Sequence, residues 1–472
     1  MKDKGYQMAD VLLVYPPHRR VLAERTYSPL GLIYLAAVLE GHGFSARVLD
    51  FEVEQPDTTA LGGILAGENP KVIGINVLST ALPEVYALVG YFKRRSNAVI
   101  VVGGSHVTCE PRCVSDLGAD YGIRGDGEES FLSLCRLVLR GEGAAESING
   151  LVARNNGTVS AKPPALVKDL DAIPLPARHL VRTRDYMFNT VLASRGCPYN
   201  CIFCADALPN VRFRSPDKVV DELDLMVRKY GLGRIDFADN VFTLDRERTV
   251  SLCGAIKKRG LKFKWSCLTR CDLVDKELLC AMKDAGCFLI LFGVESGVEE
   301  IRRNAGKNIY DEKVREAFSM CHELGIRTGA SFMFGHPEET LEDMRKTIDF
   351  ACSLDTTYGV FSMTELMPGT RMFEIAVEEG YATRGLWRDY MNGKVSNLYY
   401  TPKGVSFQQV FDIVVEAHRR FYCNMPYVLK RIMEARTGIE RGEAVDALKS
   451  YCLEKIFPAK KRESSSPALR EE

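Results

Sequence analysis

The chain has 472 residues, 46% of them hydrophobic and 26% charged, and its 62 Lys and Arg balance its 62 Asp and Glu. That neutral composition carries no electrostatic footprint for nucleic acid, and no apolar run approaches the roughly 18–20 residues of a membrane span. The length calls for two or three domains, since single cores rarely grow past about 250–300 residues. The first residues, MKDKGYQMADVLLV, run straight into a strand-like segment without signal-peptide anatomy, so a cytoplasmic protein is expected. Fifteen cysteines in a reducing compartment are not a disulfide framework, so metal binding or plain burial must account for them. Most, such as Cys135, Cys253, Cys280 and Cys352, stand singly in apolar contexts and read as small buried hydrophobes.

In chain order, the apolar run Val11 to Tyr15 predicts a strand, Leu30 to Glu40 a helix and Ala46 to Leu49 a second strand. Val72 to Leu78 predicts a third strand, Glu84 to Arg94 a helix, and Val99 to Val102 a strand that enters Gly103-Gly104. Short continuous apolar strands separated by helices indicate a parallel, doubly wound sheet over residues 1–150. Such sheets bind ligands at the carboxyl ends of their strands. The Pro-rich stretch that follows, with Pro163-Pro164 and Pro174-Leu175-Pro176, reads as an extended linker over 151–185. A second βα series then spans 186–395, with strands expected at Thr190–Ala193, Arg234–Phe237, Lys262–Ser266, Phe288–Phe292, Thr328–Met333 and Val360–Thr364. Six such units make a curved, mostly parallel sheet or partial (βα)6 barrel of the TIM type. Residues 396–472 form a helical C-terminal region, with a helical pattern from Phe407 to Met433 and a polar, Ser-rich end.

The decisive stretch is Ser194-Arg195-Gly196-Cys197-Pro198-Tyr199-Asn200-Cys201-Ile202-Phe203-Cys204. Three cysteines so spaced, in the loop after the first strand of the second series, can wrap three thiolates around one corner of a cubane iron–sulfur cluster. The fourth iron keeps no protein ligand, which makes the cluster a reactive site. Zinc is the competing reading, but closed structural zinc takes four ligands and no fourth Cys or His lies close by.

This loop resembles that of the radical S-adenosylmethionine (SAM) superfamily, Cys-x3-Cys-x2-Cys with an aromatic residue, here Phe203, before the last cysteine. The likeness implies a [4Fe–4S] cluster on Cys197, Cys201 and Cys204, with SAM bound at the open iron. It continues through Phe237-Ala238-Asp239-Asn240-Val241-Phe242, Trp265-Ser266-Cys267-Leu268-Thr269-Arg270, Gly293-Val294-Glu295-Ser296-Gly297, Gly335-His336-Pro337-Glu338-Glu339-Thr340 and Met367-Pro368-Gly369-Thr370. By that likeness Asp239, Arg270, Glu295 and Ser296 are cofactor-site candidates. Read singly, the Gly-x-Glu-Ser-Gly run is a turn and Arg270 a surface cation; their order and strand-end placement lift the set.

In the first domain, Gly103-Gly104-Ser105-His106 does not fit Gly-x-Gly-x-x-Gly, and Gly122 to Glu128 lacks the lysine of a phosphate loop. These glycines suit close approach of backbone to a large flat ligand. The layout resembles the Rossmann-like cobalamin-binding domain that precedes many radical SAM enzymes of the class B methyltransferase kind. Val11 to Pro17, Ser28-Pro29-Leu30-Gly31-Leu32, Gly103 to His106 and Arg124-Gly125-Asp126-Gly127-Glu128 carry that likeness. It implies cobalamin contacts at Gly103, Gly104, His106, Gly125 and Gly127, although a lone histidine such as His106 is more often structural. The first strand ends Tyr15-Pro16-Pro17-His18-Arg19-Arg20, not Asp-x-His-x-x-Gly, so cobalamin would bind with no histidine on cobalt.

Together the resemblances imply a division of labour. Cluster and SAM generate a radical that takes hydrogen from an unactivated carbon, and cobalamin delivers a methyl group, giving C- or P-methylation in a biosynthetic pathway. The alternatives are a radical SAM cyclase or rearrangement enzyme, and a non-catalytic protein that only binds cobalamin and the cluster. Expected partners are a small-molecule or lipid-like substrate and a reducing electron donor such as flavodoxin or ferredoxin. The basic, aromatic tail with Arg419, Arg420, Lys430, Arg431 and Arg436 reads as a solvated helix face packed on the barrel, with contact to a membrane surface or lipid as the alternative.

Overall fold

The computed structural model describes residues 9–17, 27–155, 158–205, 210–424, 427 and 429. His18, Arg19 and Arg20, and Pro426, Lys430, Arg431, Ile432, Met433 and Arg436 of the tail, lie outside the described residues. The chain divides into two compact units, one of Met1–Cys267, Asp284–Gly286 and Leu366–Leu398, the other of Leu268–Lys283, Cys287–Glu365 and Tyr399–Glu472.

The first unit opens with β1 (Val11–Tyr15), α1 (Leu30–Gly41), β2 (Ala46–Asp50), α2 (Thr58–Glu68), β3 (Val72–Asn76), α3 (Leu82–Arg95) and β4 (Val99–Gly103). Two single-turn helices, α4 (Ser105–Cys109) and α5 (Cys113–Leu117), lead to β5 (Tyr121–Ile123) and α6 (Glu128–Arg140). The parallel strands run in the order β2-β1-β3-β4-β5, a doubly wound arrangement with its switch point between β1 and β3. Being covered on both faces, β1 is apolar at consecutive positions, and Val11, Leu12, Leu13 and Val14 are all fully buried. Leu13, Ile33, Leu39, Phe131 and Leu134 join β1, α1 and α6 in one core. α3 begins with Pro83 in its first turn and ends with Lys93, Arg94 and Arg95, the charge order a helix dipole favours.

The expected linker is partly built into this sheet. β6 (Leu151–Asn155) and β7 (Thr158–Ala161) extend it as an antiparallel edge, with β6 pairing β5. The Pro-rich residues after Ala161 remain irregular apart from 3₁₀ turns.

The second series starts in the same unit with β8 (Thr190–Val191), β9 (Ser194–Arg195), β10 (Arg212–Phe213), α7 (Pro216–Asp224), β11 (Arg234–Phe237), α8 (Arg246–Lys258) and β12 (Lys264–Thr269), whose last two residues fall in the second unit. β8, β11 and β12 are parallel neighbours. β8 is shorter than expected because the chain leaves that ladder at Leu192 and pairs Ser194 and Arg195 with β10 instead.

The second unit carries most of α9 (Lys276–Asp284), then β13 (Cys287–Glu295), α10 (Glu299–Asn304), α11 (Asp311–Glu323), β14 (Arg327–Phe334), α12 (Leu341–Ser353) and β15 (Tyr358–Met363). β13, β14 and β15 are again parallel. All six strands of the expected βα series are thus present in chain order. α13 (Arg371–Glu378) and α14 (Leu386–Met391) belong to the first unit, and α15 (Phe407–Tyr422) to the second. α15 buries Val410, Ile413, Val414, Ala417 and Phe421, Phe421 packs its ring on Phe361 of β15, and Tyr422 donates to the Gly359 carbonyl. This face of the tail is therefore core. No helix among the described residues is long and apolar enough to cross a membrane.

Candidate cofactor sites

The three-cysteine loop leaves β9 through Gly196, whose φ of 92° lies in the left-handed region that suits glycine. Cys197, Cys201 and Cys204 are partly exposed, and the Cys204 amide donates to the Cys201 carbonyl at 3.1 Å, closing a tight turn around Ile202 and Phe203. The Ile202 carbonyl accepts from the Met372 amide at 2.8 Å. Residues 367–372, the last of the motif blocks and the start of α13, thus brace the loop. Among the described residues no three His, Cys, Asp or Glu side chains converge as ligands of a single metal ion. A mononuclear zinc would draw its thiolates to about 2.3 Å from one point, whereas a cubane gives each thiolate its own iron.

Asp239, at the end of β11, sets the base of this loop. Its Oδ2 accepts from the Ala193 amide at 3.0 Å and its Oδ1 from the Ser194 hydroxyl. Arg248 donates to the Ala193 carbonyl at 2.7 Å. Burial raises the Asp239 carboxyl above its ordinary range, against the pull of these hydrogen bonds and Arg248. The structure places Asp239 as the clamp of the strand that delivers the loop.

A cavity of about 370 Å³ opens at the carboxyl ends of β1, β3, β4 and β5, where doubly wound sheets take their ligands. Gly103, Gly104, Gly125 and Gly127 line it together with Tyr34, Asp126, Glu128 and Arg195. His106 is not among the lining residues. It is fully buried, its Nδ1 lies 2.8 Å from the Ser79 hydroxyl, its ring meets Trp387 edge-on, and burial lowers its pKa to about 4. Two of the glycines also meet a need of the chain itself. Gly104 (φ 107°) and Gly125 (φ 80°) adopt left-handed backbone, and a Cβ would lie 2.9 Å from the Val77 carbonyl oxygen at Gly104 and 2.1 Å from the Ala165 carbonyl oxygen at Gly125. Their close approach is to the chain's own backbone.

Arg270, Glu295 and Ser296 belong to the second unit. Arg270 is buried, not a surface cation, and forks onto Asp272 at 2.9 and 2.8 Å. Glu295 ends β13 with Lys307 at 2.7 Å from its Oε1. The Ser296 hydroxyl lies 3.1 Å from that of Thr347 and accepts from the Val298 amide, so it ties the strand end to α12. Nearby, Glu339 Oε2 accepts from the Gly335 and His336 amides at 2.7 and 3.0 Å, while burial raises its carboxyl to about 8.

A family model described as the radical SAM superfamily matches residues 191–351, and one described as the B12-binding domain matches residues 21–134. An uncharacterized methyltransferase from Pyrococcus horikoshii is 31% identical over 446 residues, covering 90% of this chain and 95% of that protein. The chain belongs to the cobalamin-dependent radical SAM enzymes. An anaerobic magnesium-protoporphyrin IX monomethyl ester cyclase from Cereibacter sphaeroides is 26% identical over 467 residues, covering 93% of this enzyme and 74% of the cyclase. The fold is shared with the radical SAM methyltransferase TsrM from Kitasatospora setae, solved with cobalamin and a [4Fe–4S] cluster, at a TM-score of 0.74 and 20% identity over 94% of this chain and 99% of that one.

As a cobalamin-dependent radical SAM enzyme the chain takes a [4Fe–4S] cluster, SAM and cobalamin, and its residues suit all three. Three partly exposed cysteines stand on one tight loop. Glu128, a lining residue of the cavity, has a buried Oε2 without a hydrogen-bond partner, an acceptor suited to the peripheral amides of a corrin. Arg195, Glu128, Tyr34 and Lys307 escaped the reading of the sequence as site residues. Arg195 and Glu128 both sit inside motif blocks, where a charge beside a glycine turn was the available signal.

Proposed function

We propose that this enzyme methylates an unactivated carbon, or phosphorus, of a small-molecule or lipid-like substrate in a biosynthetic pathway. In this reading residues 1–150, with the β6–β7 hairpin on their sheet, form the cobalamin domain and 186–395 the radical SAM domain, joined by the Pro-rich remainder of 151–185 and followed by a helical region, 396–472. Cys197, Cys201 and Cys204 hold the cluster, Gly103, Gly125, Gly127 and Glu128 line the cobalamin site, and Arg270 and Glu295 serve SAM. The observation that carries it is that the cavity wall and the cysteine loop share one compact unit and one residue, Arg195, which lines the cavity two positions before Cys197.

When bound, the cluster and SAM supply a carbon-centred radical and cobalamin supplies the methyl group. The protein's contribution is placement and exclusion of water. Asp239 and Arg248 fix the strand before the loop, and Gly196 turns it toward the first cysteine. Leu13, Ile75 and Phe131 wall the cavity with apolar surface. Lys307 offsets the buried Glu295 carboxylate. A reducing donor of the flavodoxin or ferredoxin kind supplies electrons.

Anaerobic reconstitution with iron, sulfide and hydroxocobalamin, followed by SAM and reductant, tests the proposal by the yields of 5′-deoxyadenosine and S-adenosylhomocysteine. Both should form, and S-adenosylhomocysteine should fall without cobalamin. 5′-Deoxyadenosine alone would move the assignment to a cyclase or rearrangement, which the cyclase relatives favour as the second reading.

A further inference from the structure

Arg195 joins the cavity to the cysteine loop. Its Nη1 donates to Asp126 Oδ1 at 3.1 Å and its Nη2 to Glu128 Oε1 at 2.6 Å. Its guanidinium also lies 5.5 Å from the centre of the Tyr34 ring. Only the glycine turn at 196 separates it from Cys197. Asp126 sits on the turn between β5 and α6 and Glu128 is the first residue of α6, and that turn is independently fixed. Asp126 Oδ2 accepts from the Val167 amide at 2.8 Å and from Arg212, and Arg212 stands opposite Arg195 across the β9–β10 pair. All three partners of the strap are largely buried.

A buried, forked guanidinium between two carboxylates defines a geometry more than it adds stability. Here one end of the strap is the cavity wall and the other is the backbone that leads into the first cysteine. Glu128 uses Oε1 for Arg195, and its Oε2 is buried and unpartnered.

We propose that Arg195 is a positioning residue that couples occupancy of the cobalamin cavity to the conformation of the cluster loop, with Glu128 as the member that meets the corrin. The proposal rests on the assignment of loop and cavity made above. Ligation of Cys197 fixes the peptide through Gly196 and so holds Arg195 in one rotamer. Arg195 then presents Glu128 with one oxygen engaged and the other ready to accept a ligand N–H. Coupling between binding sites is reciprocal, so each cofactor tightens retention of the other.

The test uses the full chain with and without its reconstituted cluster, titrated anaerobically with hydroxocobalamin and followed by absorbance. Wild-type protein should bind cobalamin roughly tenfold more tightly with the cluster than without it. In Arg195→Gln that ratio should fall to about one, with the cluster still assembled as judged by iron content. Conversely, hydroxocobalamin should protect cluster iron against a competing chelator in wild type and not in Arg195→Gln. Glu128→Gln reads the same ratio should Arg195→Gln fail to fold. Equal cobalamin affinity with and without the cluster in wild type overturns the coupling and leaves the cavity assignment standing. No cobalamin binding in either state overturns the cavity assignment itself, and the coupling with it.

Discussion

The Lys307 ammonium donates to Glu295 Oε1 at 2.7 Å, and both side chains are buried. Glu295 reaches this position through a left-handed backbone, φ 70°, at a register shift between β13 and β14. A non-glycine residue held there stores about 1–3 kcal/mol, a pattern that clusters at functional sites. Gly293 clears the space, since a Cβ there would lie 2.4 Å from Lys307 Nζ. Removing one member leaves an uncompensated buried charge, which costs about 3–5 kcal/mol. Lys307→Met should therefore destabilise by about 3 kcal/mol, and Lys307→Met/Glu295→Gln should recover most of that. Urea denaturation of the cluster-free protein measures both, and equal losses in single and double variants would contradict mutual compensation.

Cys201→Ala removes one thiolate of three. Iron content after reconstitution should drop and 5′-deoxyadenosine formation should fall below detection, while far-UV circular dichroism stays unchanged. Full iron retention with activity would remove Cys201 from the ligand set.

Asp239→Ala takes acceptors from the Ala193 amide and the Ser194 hydroxyl. Leaving buried donors unmet costs about 1–3 kcal/mol. The loss should appear as faster release of cluster iron to a chelator as well as a lower urea midpoint. A lowered midpoint with unchanged iron release would limit Asp239 to general stability.

The Glu339 carboxyl, raised by burial to about 8 from 4.5, gives a stability slope of known sign. Between those values the unfolded chain ionises while the folded chain keeps its proton. Stability from this group is thus full below pH 4.5 and declines as pH rises toward 8. Glu339→Gln lacks the titration, so its urea midpoint should gain on wild type between pH 5.5 and pH 8, about the window the linkage defines. Parallel profiles would mean that the folded carboxyl is ionised throughout.

Gly125→Ala places a methyl group 2.1 Å from the Ala165 carbonyl oxygen in a left-handed residue. Strain at such a site costs about 1–3 kcal/mol, and it shifts the turn that carries Asp126 and Glu128. A lower thermal midpoint and weaker hydroxocobalamin binding are expected together. A change in neither would show that the turn gives way freely.

What the sequence disclosed followed from locality. Continuous apolar runs marked β1 to β4 because parallel strands are buried on both faces, and the cysteine loop announced itself because its ligands are neighbours in the chain. The antiparallel edge was missed beneath the prolines that follow it, although Asn156-Gly157 lies between β6 and β7 and is a strong hairpin signal. The Arg195 strap was not legible, since its partners Asp126 and Glu128 are 69 and 67 residues away. The cavity glycines were recognised as special, but whether a glycine yields to a ligand or to its own chain depends on contacts with Val77 and Ala165 that only the fold supplies.

The edge formed by β6 and β7 bears on how such enzymes can recombine. A crossover placed at residue 150, the boundary that the sequence alone suggests for the first domain, would strip two strands from its sheet and expose the unpaired rim of β5. A graft made after Ala161 would keep the sheet whole but bring a foreign Arg195 to Asp126 and Glu128. Swapping the front half of one relative for another therefore requires carrying the hairpin along and exchanging residues 126, 128, 195 and 212 as a matched set.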